Sequence, residues 1–240
     1  MTDPEIEKGH LHPITSVIRE ICLIFDNLGF SVVSGPELET EHYNFDALNV
    51  PKDHPARDMQ DTFWIKTGPK EEKKVLRTHT SPVQVRFMEK MAKEGPKPFK
   101  IIVPGKVYRN EATDATHEAQ FYQVEGLYVN ERVSLAELKG VLEHMMKSLF
   151  GDDVEIRFRP SFFPFTEPSV EVDMRWKGRW LEMGGAGLVN PKVLESAGLD
   201  AKKWQGFAFG FGIDRIAMLK YGYDDVRLGY TGDLRFINQF

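Results

Sequence analysis

The stretch that most constrains this chain is residues 101–129, IIVPGKVYRNEATDATHEAQFYQVEGLYV, where two strand-like runs enclose a polar loop. Residues 101–108 are rich in β-branched and aromatic side chains, and residues 121–129 alternate polar with apolar, a pattern that predicts a β-hairpin. Hairpin loops usually hold about two to five residues. The longer one here is the kind that compact domains use for binding. Alternation puts Gln123 and Glu125 on one face of the return strand and separates Tyr108 from Arg109. A guanidinium presents a rigid, permanently charged fork to phosphate or carboxylate, and the carboxylate of Glu125 suits an ammonium group. A site with both can grip an amino acid beside a nucleotide; a lone pair of this kind would be a solvated surface hairpin.

Composition sets outer limits. With 240 residues, 41% of them hydrophobic, the chain can bury a full core and fits one large domain. No apolar run approaches the ~20 residues needed to span a bilayer, and the polar start MTDPEIEKGH lacks a signal-peptide core. A soluble, cytosolic protein is expected. The single cysteine, Cys22, excludes an internal disulfide and falls on the apolar face of a predicted helix. A net charge of −5 offers no global attraction to nucleic acid, so an RNA contact would need a local basic patch. The mixed run Lys70–Lys74 reads as a solvated loop.

Along the chain, Pro13 opens a helix whose apolar residues recur at helical spacing up to Leu28; Gly29 stops it, and a short strand, Phe30–Val33, leads to Pro36. In the irregular stretch that follows, His54, Arg57 and Asp58 can cap and brace a loop. At Arg77–Gln84 a strand passes into a helix, with Ser81 expected as its cap and Pro82 in its first turn. Ser134 is expected to cap a further helix whose inner stripe runs from Leu135 to Leu149. Strands are expected at 154–159, 170–176 and 180–183. Between the first two, Phe163-Pro164-Phe165 alternates two rings with a proline, so both rings can face one way, either as core packing or as an aromatic wall. Gly184–Gly187 supplies small residues where a backbone passes close to something bulky, without the Gly-Lys-Ser/Thr ending of a P-loop. Finally Gly206–Arg215 runs from a strand into a helix, with Asp214 as a capping or bracing charge.

Taken in order, these motifs resemble the class II aminoacyl-tRNA synthetases. Tyr108-Arg109-Asn110-Glu111 is similar to their motif 2, the helix-Gly-strand-Pro run to motif 1, and Gly206–Arg215 to motif 3. Thr116-His117-Glu118-Ala119, with Phe121, Gln123, Glu125 and Gly126, resembles the phenylalanyl-tRNA synthetase α-subunit family specifically, and the resemblance covers nearly the whole chain. It implies an α+β fold, a mainly antiparallel sheet flanked by helices, as one catalytic domain over residues 1–240. The implied activity is activation of L-phenylalanine with ATP, then transfer to tRNA(Phe).

The resemblance also implies roles. Arg109 bridges substrate carboxylate and α-phosphate, Glu111 and His117 hold the nucleotide, Phe121 stacks on adenine, and Arg215 faces the γ-phosphate. His79, Ser81, Gln84, Gln123, Glu125 and Gly210 bind the amino acid, while Phe163, Phe165 and Ala208 shape its aryl pocket. Mg²⁺ accompanies ATP, with Glu167 at a metal-contacting position and Glu182 as the other candidate. Family members can carry Trp where this chain has Gln60, so a carboxylate contact there would differ. The bacterial pattern implies a β subunit in an α2β2 assembly, a homodimer being the alternative. No N-terminal helical arm precedes Pro13, which bears on tRNA charging more than on adenylate formation. Two rivals share the scaffold: a paralogue that binds or activates an amino acid without efficient charging, and a synthetase of another specificity, such as a phosphoserine type.

Overall fold

The computed structural model describes residues 9–57, 62–66, 68 and 71–240. Asp58, Gln60 and Lys70 lie outside the described residues. Helix α1 (Pro13–Asn27) starts where the sequence pattern places it, with His12 rather than a hydroxyl residue accepting the N–H of Ile14, and Gly29 turns the chain away at φ 78°. Then come β1 (Ser31–Val32), β2 (Leu38–Thr40), α2 (Glu41–Asn44), β3 (Trp64–Ile65), β4 (Lys74–Leu76) and α3 (Ser81–Glu94). The expected hairpin is β5 (Phe99–Tyr108) and β6 (Gln120–Asn130). Helix α4 (Leu135–Phe150) opens on a reciprocal cap: Ser134 Oγ accepts the N–H of Glu137 and donates to its carboxylate. The chain continues through β7 (Glu155–Phe163), β8 (Thr166–Trp176), β9 (Arg179–Val189), α5 (Pro191–Ser196), β10 (Gln205–Gly212), α6 (Ile213–Tyr221) and α7 (Leu234–Ile237).

The main sheet has seven strands in the order β1-β5-β6-β10-β9-β8-β7. Its pairings are antiparallel except β1 with β5. A second sheet, β2-β4-β3, is small. Period-two alternation divides the side chains of the main sheet between two cores. Ile102, Val124, Phe207, Phe209 and Phe211 pack with α1, α4 and α6, whereas Ile101, Val103, Leu127 and Val129 pack with residues of α3 and α5. Cys22 packs against the first of these cores. Among the described residues no helix is long and apolar enough to cross a membrane.

Strand β10 enters between β6 and β9, and its register arranges the second face of the sheet. Gly210 lies opposite Glu125 on one side and Gly185 on the other, and Ala208 opposite Leu127 and Gly187. One feature differs from the sequence-based expectation. Strand β9 does not end at Met183 but runs through the glycines to Val189, because pairing on both sides supplies the order that glycine lacks intrinsically. Pro164 and Phe165 form the two-residue turn between β7 and β8. Arg57 does brace its loop, donating to Glu41, Asp46 and the carbonyl of Val50.

On the first face, Gly126 leaves room for a ring: a Cβ there would lie 2.1 Å from Cζ of Phe209, itself stacked on Phe25. Gly126→Ala is expected to cost about 1–3 kcal/mol through forced displacement of that ring. Urea denaturation checks this, and an unchanged midpoint would mean that the aromatic layer yields freely.

Candidate functional site

The second face of the sheet holds a cavity of roughly 450 Å³. Its floor is Gln123, Glu125 and Leu127 of β6, Ala208 and Gly210 of β10, and the glycine-rich part of β9. The junction into α3 supplies His79 and its first turns Ser81 and Gln84; the end of β7 supplies Phe163 and the turn after it Phe165; Arg109 and Phe121 also line it.

Glu125 is the buried charge of this site, 5% exposed. Its carboxylate receives the N–H of Thr80 at 3.0 Å, Ser81 Oγ at 2.5 Å and Gln84 Nε2 at 2.8 Å. These donors correct the expectation for Ser81. Thr80 is the residue at the cap of α3, with no side-chain cap bond, and Ser81 turns its hydroxyl to the carboxylate instead. Ser81 is the first residue inside the helix rather than its cap, so its hydroxyl is placed to donate to the carboxyl and not to accept an N–H of the first turn. Burial pushes the Glu125 carboxyl up to about 7, against the opposing pull of these donors and of Arg109 and Arg77. Burial, with the Arg109 charge, also pushes His79 down to about 3, so its ring is neutral. Two buried atoms of the cavity residues lack a hydrogen-bond partner, Nδ1 of His79 and Oε1 of Gln123.

The aromatic wall is built by a turn. The rings of Phe163 and Phe165 stack 5.8 Å apart at an interplanar angle of 8°. Ser169 Oγ accepts the N–H of Phe163, Asn49 donates to the carbonyl of Pro164, and Asn190 N–H donates to that of Phe165. Glycines let these groups lie flat on the sheet: a Cβ on Gly185 would sit 2.8 Å from the Phe163 ring, and one on Gly210 would sit 3.0 Å from Nε2 of Gln123.

At the hairpin, Tyr108 N–H donates to the carbonyl of Arg77, and the Nε of Arg109 donates to that of Thr78 at 3.3 Å, which fastens the end of β5 beside the start of α3. The Arg109 guanidinium lies 5.1 Å from the centre of the Phe121 ring. Beyond Arg109 the loop closes on itself through Arg109 N–H to Ala119 O and through Asp114, which accepts the N–H groups of Thr116 and His117. The amide of Thr116, first among these donors, holds the Asp114 carboxyl well below the usual carboxylate range.

Of the residues singled out from the sequence, the cavity brings together His79, Ser81, Gln84, Arg109, Phe121, Gln123, Glu125, Phe163, Phe165, Ala208 and Gly210. Glu111, His117, Arg215 and Glu167 do not line it. Glu111 is half-buried, and the other three are exposed. Sequence reasoning missed Leu48, Met88, Thr166, Val189 and Val193 in the lining. Leu48 and Val193 come from a single 3-10 turn and a six-residue helix, too short to show a period, though Asn190-Pro191 marks the start of the latter.

Ser81→Ala leaves Glu125 one donor short and is expected to cost about 1–3 kcal/mol at neutral pH. The folded carboxyl keeps its proton to about 7, against an ordinary value of 4.5. Its stabilising contribution is therefore full below 4.5 and lost as pH rises through 7. Losing a donor that lowers this value shifts the window upward. Urea midpoints of both proteins from pH 5 to about 8 check the size and sign of the change.

The model of the family "tRNA synthetases class II core domain (F)" matches residues 1–240. The chain is 56% identical to the phenylalanine–tRNA ligase alpha subunit of Bacillus subtilis (strain 168), over 97% of this chain and 69% of that one. It is 55% identical to that of Shouchella clausii (strain KSM-K16), again over 97% and 69%. The fold is shared with pyrrolysyl-tRNA synthetase from Desulfitobacterium hafniense at a TM-score of 0.73 and 19% identity, over 91% of this chain and 73% of the other. This chain belongs to the class II aminoacyl-tRNA synthetases, in the family of the phenylalanine–tRNA ligase alpha subunits.

Proposed function

We propose that this chain is the catalytic α chain of an ATP-dependent phenylalanine–tRNA ligase, with residues 1–240 acting as one catalytic unit. The observation that carries this is the cavity's polarity. A buried carboxylate and two unpartnered buried polar atoms sit beside stacked phenylalanine rings, with Arg109 and Phe121 in the same lining. The ammonium group of phenylalanine would donate to Gln123 Oε1 and lie in the field of Glu125, with His79 and Ser81 completing its surroundings and Gln84 holding the carboxylate in place. Its ring would lie against Phe163 and Phe165 above Ala208 and Gly210. Phe163 and Phe165 offer no charge to a phosphorylated side chain, which disfavours a phosphoserine specificity.

The chemistry asks for positioning and charge neutralisation rather than a base, since the amino-acid carboxylate is already ionised. A carboxylate oxygen attacks the α-phosphorus, the bond to the β-phosphate breaks, and pyrophosphate leaves. Arg109 bridges the carboxylate and α-phosphate, Phe121 stacks on adenine, Glu111 and His117 hold the nucleotide from the loop, and Arg215 faces the γ-phosphate. A ribose hydroxyl of tRNA(Phe) then attacks the acyl carbon and releases AMP. No covalent enzyme intermediate is needed.

Among the described residues no three potential metal ligands cluster, and Glu182 is engaged by Arg159. Mg²⁺ would therefore be carried mainly on the phosphates, with Glu167, or Glu182 as the other candidate, as the protein carboxylate that would hold it. Bound there, the ion would offset charge on the departing pyrophosphate. The alpha-subunit relatives support a β partner, which we place in an α2β2 assembly in the cytoplasm.

Pyrophosphate exchange over a panel of amino acids tests the reading: phenylalanine should support it and phosphoserine should not. Absence of phenylalanine-dependent exchange in the assembled enzyme would leave a paralogue that binds without turnover. Arg109→Ala should lower the exchange rate about 100- to 1,000-fold with the fold retained, whereas a near-normal rate would remove Arg109 from the mechanism. Phenylalanine binding near pH 7 should release protons, because the incoming ammonium pulls the Glu125 carboxyl below its raised value of about 7. Affinity should accordingly fall as pH drops below 7. Calorimetry in two buffers of different ionisation enthalpy measures the release, and none would show that the ammonium binds elsewhere.

A further inference from the structure

The carboxylate of Asp214 is 5% exposed and accepts from two distant parts of the chain. The backbone N–H of Tyr122 donates to Oδ2 at 2.7 Å, and the hydroxyl of Tyr230 donates to Oδ1 at 2.5 Å. Tyr122 stands between Phe121 and Gln123, both in the cavity wall, and Asp214 directly precedes Arg215. One carboxylate thus joins the start of β6 to the first turn of α6.

A second, independent link comes from the same C-terminal segment. The N–H of Val226 donates to the carbonyl of Ala115 at 2.9 Å, in the loop that carries Glu111 and His117. The segment is itself anchored: Tyr223 packs edge-on against Phe236 at 5.0 Å, and His12 Nε2 bonds to the carbonyl of Gly229 at 3.0 Å. No residue from 223 to 230 lines the cavity.

We propose that residues 223–230 form a strap that sets the distance between the two nucleotide-facing elements, β6 with its loop and α6. Asp214 and Tyr230 are then positioning residues for ATP. The proposal rests on the function given above, in which the loop and Arg215 meet the same triphosphate from different elements. A buried, charge-assisted hydrogen bond is stiff enough for this role. The loop is also held by the local bonds of its own turn, by its closing rung and, at its start, by the bond from Arg109 Nε to the carbonyl of Thr78.

Tyr230→Phe removes the hydroxyl and keeps the ring. In pyrophosphate exchange by the assembled enzyme, KM for ATP should rise roughly ten-fold while KM for phenylalanine stays within about two-fold of wild type. A purely structural residue would not separate the two substrates. Asp214→Asn, which retains an oxygen for Tyr122, should recover part of what Asp214→Ala loses. Amide hydrogen exchange over residues 110–118 of the unliganded protein should be faster in Tyr230→Phe. Unchanged exchange there, or equal changes in both KM values, would overturn the strap. If wild type shows no phenylalanine-dependent pyrophosphate exchange, the functional reading fails, and hydrogen exchange still decides the strap.

Discussion

The placement of Glu125 decides most of what surrounds it. A carboxylate on the inner face of a sheet must be compensated where water is largely excluded, and uncompensated burial would cost several kcal/mol. Here compensation comes from the opening of one helix: a free N–H, a hydroxyl and an amide, all from residues 80–84. The helix N-terminus adds a favourable dipole. Meeting three donors at once fixes α3 against β6, and fixing α3 places His79 and Gln84 in the same wall. The raised value of the carboxyl shows that burial still outweighs these contacts, so the site holds a group whose charge a bound cation would favour.

Space is the second constraint, and glycine supplies it. Gly185 and Gly210 let the Phe163 ring and the Gln123 amide approach the strands more closely than any side chain would permit. The same absence of side chains exposes strand backbone to the cavity. The proline-containing turn completes the wall by stacking its two rings almost in parallel, held from outside by Asn49, Ser169 and Asn190.

Much of this was legible in the chain because strong local periods and caps dominate there. The hairpin at 101–129, the helix after Pro13 and the helix capped by Ser134 all sit within a residue or two of the pattern that marks them. Bracing by Asp214 also followed from its place at a strand-to-helix junction, although its partners, Tyr122 and Tyr230, are set by tertiary contacts alone. The failures share one cause, long-range competition. Ser81 has the chemistry of a cap, yet a carboxylate 44 residues away claims its hydroxyl. Gly184–Gly187 has poor strand propensity, yet neighbours on both sides hold it extended. The alternation in Phe163-Pro164-Phe165 correctly put both rings on one side, and the tight turn that does it follows from pairing between β7 and β8.

The position of β10 carries a consequence for biosynthesis. This strand is made after every other strand of the sheet, yet it lies at the centre, bonded to β6 and β9. Until it leaves the ribosome, β5–β6 and β7–β8–β9 are separate ribbons, each showing an unsatisfied backbone edge. Such edges invite pairing with other chains. Closure of the sheet, and with it assembly of the cavity floor, must therefore wait until β10 has been made, and chaperone protection would matter most in that interval.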